Sequence, residues 1–221
     1  MNLGDFKLTW FDLLVLGLIA FGIFRGRKRG MSEELLDVFQ WLCIVVVCAL
    51  LYAPLGKFMA RYAGFPLLIA NVFAYAAVAI IIKIGFASVK RAVGEKLVHA
   101  DTFGRFEYYL GMLAGTIRCL CILIFALSFL HAKYISDAER AATAKMQAEN
   151  FGSISFPTIG SLQYTIFYES RSGKFIKENL RDQLMRPIAS NGQPTDSIAR
   201  RRERAVEEVL KLRADDLRAL A

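Results

Sequence analysis

Four apolar runs dominate the first 132 residues: 8–24, 35–53, 67–87 and 108–130. Each is close to the roughly 20 helical residues that cross a bilayer core of about 30 Å. Lipid offers no hydrogen-bond partner, so such runs must satisfy their backbone internally, as helices. Trp10, Tyr52, Tyr62, Tyr108 and Tyr109 sit near the run ends, where amphipathic rings favour the membrane interface. Four buried core helices would need a polar surface that this part of the chain lacks. Of the 20 acidic residues, only Asp5, Asp12, Glu33, Glu34, Asp37, Glu95, Asp101 and Glu107 precede residue 133. With 55% hydrophobic residues and a mean hydropathy of +0.38, an all-α membrane protein is expected. Its four transmembrane helices would form a domain over 1–132. A helical soluble tail would follow over 133–221, outside the membrane, with a linker near 190–197.

The stretch "FRGRKRGMSEELLDVFQW", residues 24–41, joins the first two runs. A signal peptide carries its positive charge before the apolar core and small residues after it. Here the cluster Arg25, Arg27, Lys28 and Arg29 follows the core, so the first helix reads as uncleaved and the segment as a turn. Basic residues mark cytoplasmic loops. Those four, with Lys90, Arg91, Lys96 and Arg105 after the third run, outnumber Lys7, Lys57 and Arg61. Loops 25–34 and 88–107 are therefore expected in the cytoplasm and the tail in the periplasm.

Some residues in the runs do not suit lipid. Asp12, Asp37, Gln40, Lys83 and Arg118 lie inside or beside them. A charge at the centre of a membrane helix costs about 2.5–3.5 kcal/mol on insertion scales, so Arg118 needs a partner or a water-filled path. Asp37 is the first choice of partner and Asp12 the second; Lys83 is placed to snorkel. Three readings stay open: a structural ion pair, a solute or proton pathway, and interface anchoring without pairing. Gly111, Gly115 and Arg118 share one helical face, and small residues four apart let helices approach closely in lipid. Gly22, Gly26 and Gly30 repeat that spacing, but the later two fall in the basic segment and are expected to serve chain reversal.

The tail reads as a helix over 133–150, then a Gly/Ser/Pro loop, "FGSISFPTIGS". An amphipathic segment over 161–187, broken at "SRSG", follows, and a charged helix after the linker carries Val206, Leu210, Leu217 and Leu220 on one side. The "RRRER" run is nearly balanced by Glu207, Glu208, Asp215 and Asp216, which argues against nucleic-acid binding. No nucleophile-elbow, zincin or phosphate-loop motif is present. The two histidines, His99 and His131, fall on opposite sides of the membrane in this topology. Cys43, Cys48, Cys119 and Cys121 lie within apolar runs, where cysteine behaves as a small hydrophobe. No catalytic set, cofactor site or metal site is therefore expected.

The pattern resembles the colicin V production protein family. An Asp early in helix one (Asp12), an Arg-Gly-x-x-Arg closing it (Arg25, Gly26, Arg29), a Trp in the next helix (Trp41) and Gly111, Gly115 and Arg118 carry the resemblance. So does "SISFPTIGSLQYTIFYES" after the fourth run. Glu107-Tyr108 departs from the family's Asp-Arg, and Cys119 stands where Gly is usual. The resemblance extends over about residues 8–170. It implies a bacterial inner-membrane protein linked to production or export of a peptide toxin and to envelope homeostasis. Its partners would be the lipid bilayer and other membrane proteins or further copies of itself. A scaffold or accessory subunit is the leading class, a small channel or transporter the second, an enzyme the least supported.

Overall fold

The computed structural model describes residues 8–98, 106–151 and 156–189. The linker and final helix expected beyond residue 189, and His99, lie outside the described residues. Among the described residues, three helices are long and apolar enough to cross a membrane: α1 (Trp10–Ala63), α2 (Leu67–Val98, apolar over Leu67–Ala92) and α3 (Glu107–His131). Four were expected. The first two apolar runs both fall within α1, because the basic segment between them is not a loop. Arg, Lys, Glu and Leu are good helix formers, and helical geometry continues up to one residue, Gly30, at φ 75° and ψ 173°. That positive φ is one that L side chains rarely adopt.

Gly30 reverses the chain. Phe11 and Val15, early in α1, pack with Leu123 and Leu127 of α3. Ile44, Cys48 and Tyr52, late in α1, pack with Ala132, Phe125 and Phe129. Both ends of α1 thus lie beside the C-terminal half of α3, while Gly30 lies beside its start. α1 begins with Thr9, whose N–H donates to Asp12 Oδ2 at 3.1 Å, and ends at Gly64 in the left-handed region. Pro66 opens α2, its carbonyl accepting from Ala70 N–H at 2.9 Å.

The first half of α1 and α3 meet backbone to backbone. A Cβ added at Gly22 would stand 2.8 Å from Gly115 O, and one at Gly111 2.8 Å from the Gly30 carbonyl carbon. Gly26 is helical and faces Gly111 and Gly115. It serves this packing, and Gly30 alone makes the reversal for which both had been expected. With no hydrophobic drive between helices in lipid, close approach of this kind supplies van der Waals contact over the whole seam.

Past α3 the chain returns onto the bundle. β1 (Lys133–Tyr134) pairs in parallel with β2 (Ile188–Ala189). Between them run α4 (Asp137–Phe151), α5 (Ile159–Tyr164), a π-helical turn (Thr165–Glu169) and α6 (Arg171–Asn179). Ser136, Thr158 and Ser170 cap α4, α5 and α6 through their hydroxyls, at 3.1 Å in each case. Ser170 is the break expected at "SRSG". Ile166, Phe167, Ile176 and Leu184 join the core around Phe11, and Met185 joins the one around Tyr75. Asp12, at the start of α1, accepts from Ser170 Oγ at 2.8 Å and from Ser172 N–H at 2.9 Å. A carboxylate here suits the N-terminus of α6.

The glycine seam yields a paired expectation. Gly26→Ala places a methyl against Gly111 backbone, which cannot move aside, and should destabilise the purified protein by about 1–3 kcal/mol. Gly17 has nothing within 4 Å of an added Cβ, so Gly17→Ala should be neutral or slightly stabilising. Thermal unfolding in detergent checks both. Equal tolerance of the two would sink the seam as a packing determinant.

Candidate functional site: a charged cluster where three helices meet

The second half of α1 carries Glu34, Asp37 and Gln40, spaced by three and so on one face. The first half carries Arg25 and Arg29, four apart. The reversal at Gly30 folds these two faces toward each other. α3 adds Arg118, set on the side of its glycines, and α2 adds Lys90. Arg118 Nη1 lies 2.7 Å from Glu34 Oε2 and 3.0 Å from Asp37 Oδ2, and only the Asp37 contact is aligned as a hydrogen bond. Arg29 Nη1 stands 3.6 Å from Asp37 and 3.7 Å from Glu34, and Arg25 Nε 4.0 Å from Glu34. Lys90 Nζ donates to Asp37 Oδ1 and, at 2.7 Å, to Gln40 Oε1.

Burial grades the cluster. The Glu34 side chain is 0% exposed and that of Arg118 7%, against 23% for Asp37 and more than a third for Arg25, Arg29 and Lys90. The inner pair is therefore in a low-dielectric setting, where an unpaired charge would be most costly. The outer cations lie toward the Gly30 end. Among the described residues, four cations pair with two carboxylates in this cluster. Glu34 is held by charge more than by hydrogen bonds, since neither carboxylate oxygen has an aligned donor among the described residues.

The sequence-derived candidates separate in space. Arg118 and Asp37 meet. Asp12, the second choice of partner, instead caps α6 at the opposite end of the bundle. Lys83 is exposed on α2 and lies outside the cluster. Gly111 and Gly115 line the helix seam, and Arg25, Arg29 and Gly30 stand at the reversal. Sequence reasoning passed over Glu34, which it assigned to a loop, and Lys90, which it counted only as a loop cation. The three-residue spacing of Glu34, Asp37 and Gln40 was the signal available for Glu34. Among the described residues no group of histidine, cysteine or carboxylate side chains could hold a metal ion, and the four cysteines are free thiols.

The family model for "Colicin V production protein" matches residues 11–150. The chain belongs to the colicin V production protein family. The match contains α2, α3 and nearly all of α1 and α4, and with them every member of the charged cluster. No curated protein and no solved structure matches the chain. Family membership and the long apolar helices together make it a multi-pass membrane protein.

Arg118 and its partners give a measurable coupling. Arg118→Leu strands Glu34 in an apolar setting and should destabilise the detergent-solubilised protein by about 3 kcal/mol. Glu34→Gln added to that variant should restore part of the loss, with a coupling energy of about 1–3 kcal/mol in a double-mutant cycle. Asp12→Asn should be additive with Arg118→Leu. Coupling to Asp12 in place of Glu34 and Asp37 would contradict the geometry.

Proposed function

We propose that the protein is a four-crossing inner-membrane scaffold or accessory factor for production or export of a peptide toxin, and more broadly for envelope homeostasis, without catalytic activity of its own. One observation carries this reading: the intramembrane charge of Arg118 is matched by carboxylates within the bundle. Paired charge of that kind locks helix positions and presents a fixed membrane surface. Membership in a family described by colicin V production supplies the link to toxin production. Partner proteins or further copies of the chain would dock on that surface.

The reversal at Gly30 supports the count of four crossings. From Trp10 to Arg29 a helix rises about 30 Å, enough for one passage, and the longer half after Gly30 makes a second. α2 and α3 make the third and fourth. The end bearing Arg25, Arg27, Lys28, Arg29, Lys90 and Arg91 faces the cytoplasm by the distribution of basic residues. β1, β2 and α6 then lie at the periplasmic end.

A second reading has one specific observation behind it. Glu34 is fully buried with no aligned donor to either oxygen among the described residues, and Asp37 next to it is partly exposed. Such a pair is chemically able to pass a proton, which suits a small transporter.

Two measurements address these readings. In a background lacking the native cysteines, Tyr62→Cys and Lys145→Cys should react with an impermeant thiol reagent in cells with a permeabilised outer membrane. Lys28→Cys should not. The inverse pattern means an inverted protein, and equal labelling of Lys28→Cys and Tyr62→Cys rules out two crossings in α1. For activity, proteoliposomes with an imposed pH gradient should lose it no faster than protein-free vesicles. A severalfold faster loss, abolished by Glu34→Gln, would replace the scaffold by the transporter.

A further inference from the structure

At the tail end of the bundle, far from the charged cluster, lies a cavity of about 690 Å³. The end of α3 (His131), β1 (Tyr134), the π-helical turn (Phe167, Tyr168) and α6 with the residues after it (Lys174, Lys177, Arg181) line it. It therefore opens where the apolar helices stop, at headgroup depth in a membrane. α6 is short and amphipathic. Ile176 is buried, while Lys174 and Lys177 face the cavity and Phe175 is exposed. Tyr134 and Tyr168 are about half exposed beside it. Aromatic groups and cations side by side at the mouth of a cavity are what an interfacial anionic amphiphile requires.

The cations are not already neutralised. Among the described residues, Glu178 is the one carboxylate on the lining, and no carboxylate lies within 4.0 Å of Lys174, Lys177 or Arg181. Lys177 Nζ sits over the Tyr168 ring, 3.7 Å from its centroid, so its charge is positioned without being cancelled. His131 adds a polar contact of defined sense. Its Nδ1 lies 2.8 Å from the Met185 carbonyl oxygen, which only accepts, so Nδ1 carries the hydrogen. In the neutral ring that leaves Nε2 as an acceptor, and His131 is part of the cavity lining.

From this arrangement we infer that the cavity binds the phosphate-bearing headgroup of an anionic glycerophospholipid from the tail-side leaflet. Lys174, Lys177 and Arg181 hold the phosphate, and His131 Nε2 accepts a hydrogen bond from a headgroup hydroxyl. The acyl chains run along the exposed aromatic rim toward the bilayer. The same phosphate chemistry occurs in soluble phosphate, which lacks the hydroxylated glycerol and the chains, so the two sources can be told apart.

The test uses the full-length protein in a neutral detergent, with dioctanoyl-phosphatidylglycerol, dioctanoyl-phosphatidylcholine and inorganic phosphate as probes in titration calorimetry. The phosphatidylglycerol should bind with one-to-one stoichiometry and at least about tenfold more tightly than the phosphatidylcholine. The double variant Lys174→Gln/Arg181→Gln, both sites exposed, should keep the wild-type melting temperature without lipid and lose about tenfold in affinity. Lys145→Gln, on exposed α4 surface away from the cavity, should bind as wild type. Equal affinity for the two lipids, or an equal loss in Lys145→Gln, overturns the site. Phosphate competing as strongly as the lipid overturns the assignment to a lipid.

Discussion

Holding the guanidinium of Arg118 inside an apolar bundle is the constraint on which the rest of this structure depends. Lipid cannot solvate it, and the penalty for leaving it unpaired is several kcal/mol. Glu34 and Asp37 remove that penalty, but only because three other features put them within reach. Gly30 turns the chain through a backbone conformation few residues tolerate. Gly22, Gly26, Gly111 and Gly115 let α3 come against α1 without intervening side chains. Lys90 then meets the outer oxygen of Asp37. A larger residue in the seam would hold Arg118 away from its carboxylates, so packing and electrostatics fail together.

The two ends of the bundle do different work. At the Gly30 end the arginines and Lys90 gather around two carboxylates, grading from dry to wet. At the other end hydrogen bonds dock the tail. Asp12 caps α6, the Tyr52 hydroxyl accepts from Arg186 N–H at 3.0 Å, and His131 binds Met185. Each contact ties a membrane helix to a residue well beyond 132. Phe167 and Met185, each 1% exposed, fill the core between those helices. The described part of the tail is thus joined to the bundle by buried contacts as well as by covalent connection. That places its basic cavity at a fixed height relative to the apolar spans.

Helix content, the apolar runs, the glycine spacing and the need of Arg118 for an acidic partner were all legible in the sequence. These follow from local properties: hydropathy summed over one segment, or residue spacing on one helix. Asp37 could be named as a partner because acidic residues beside the runs are few. Tertiary structure alone decided the rest. Glu34 lies on the same face as Asp37, yet its burial depends on the angle at which α1 folds back, and that angle rests on one dihedral pair at Gly30. Asp37 and Arg118 are 81 residues apart, and no local periodicity reports a contact over that separation. Gly26 could not be assigned between turn and seam until α3 was seen against it. The return of the tail was hidden for the same reason, since Asp12 and Ser170 are 158 residues apart and neither carries a signal of the other until the chain has folded.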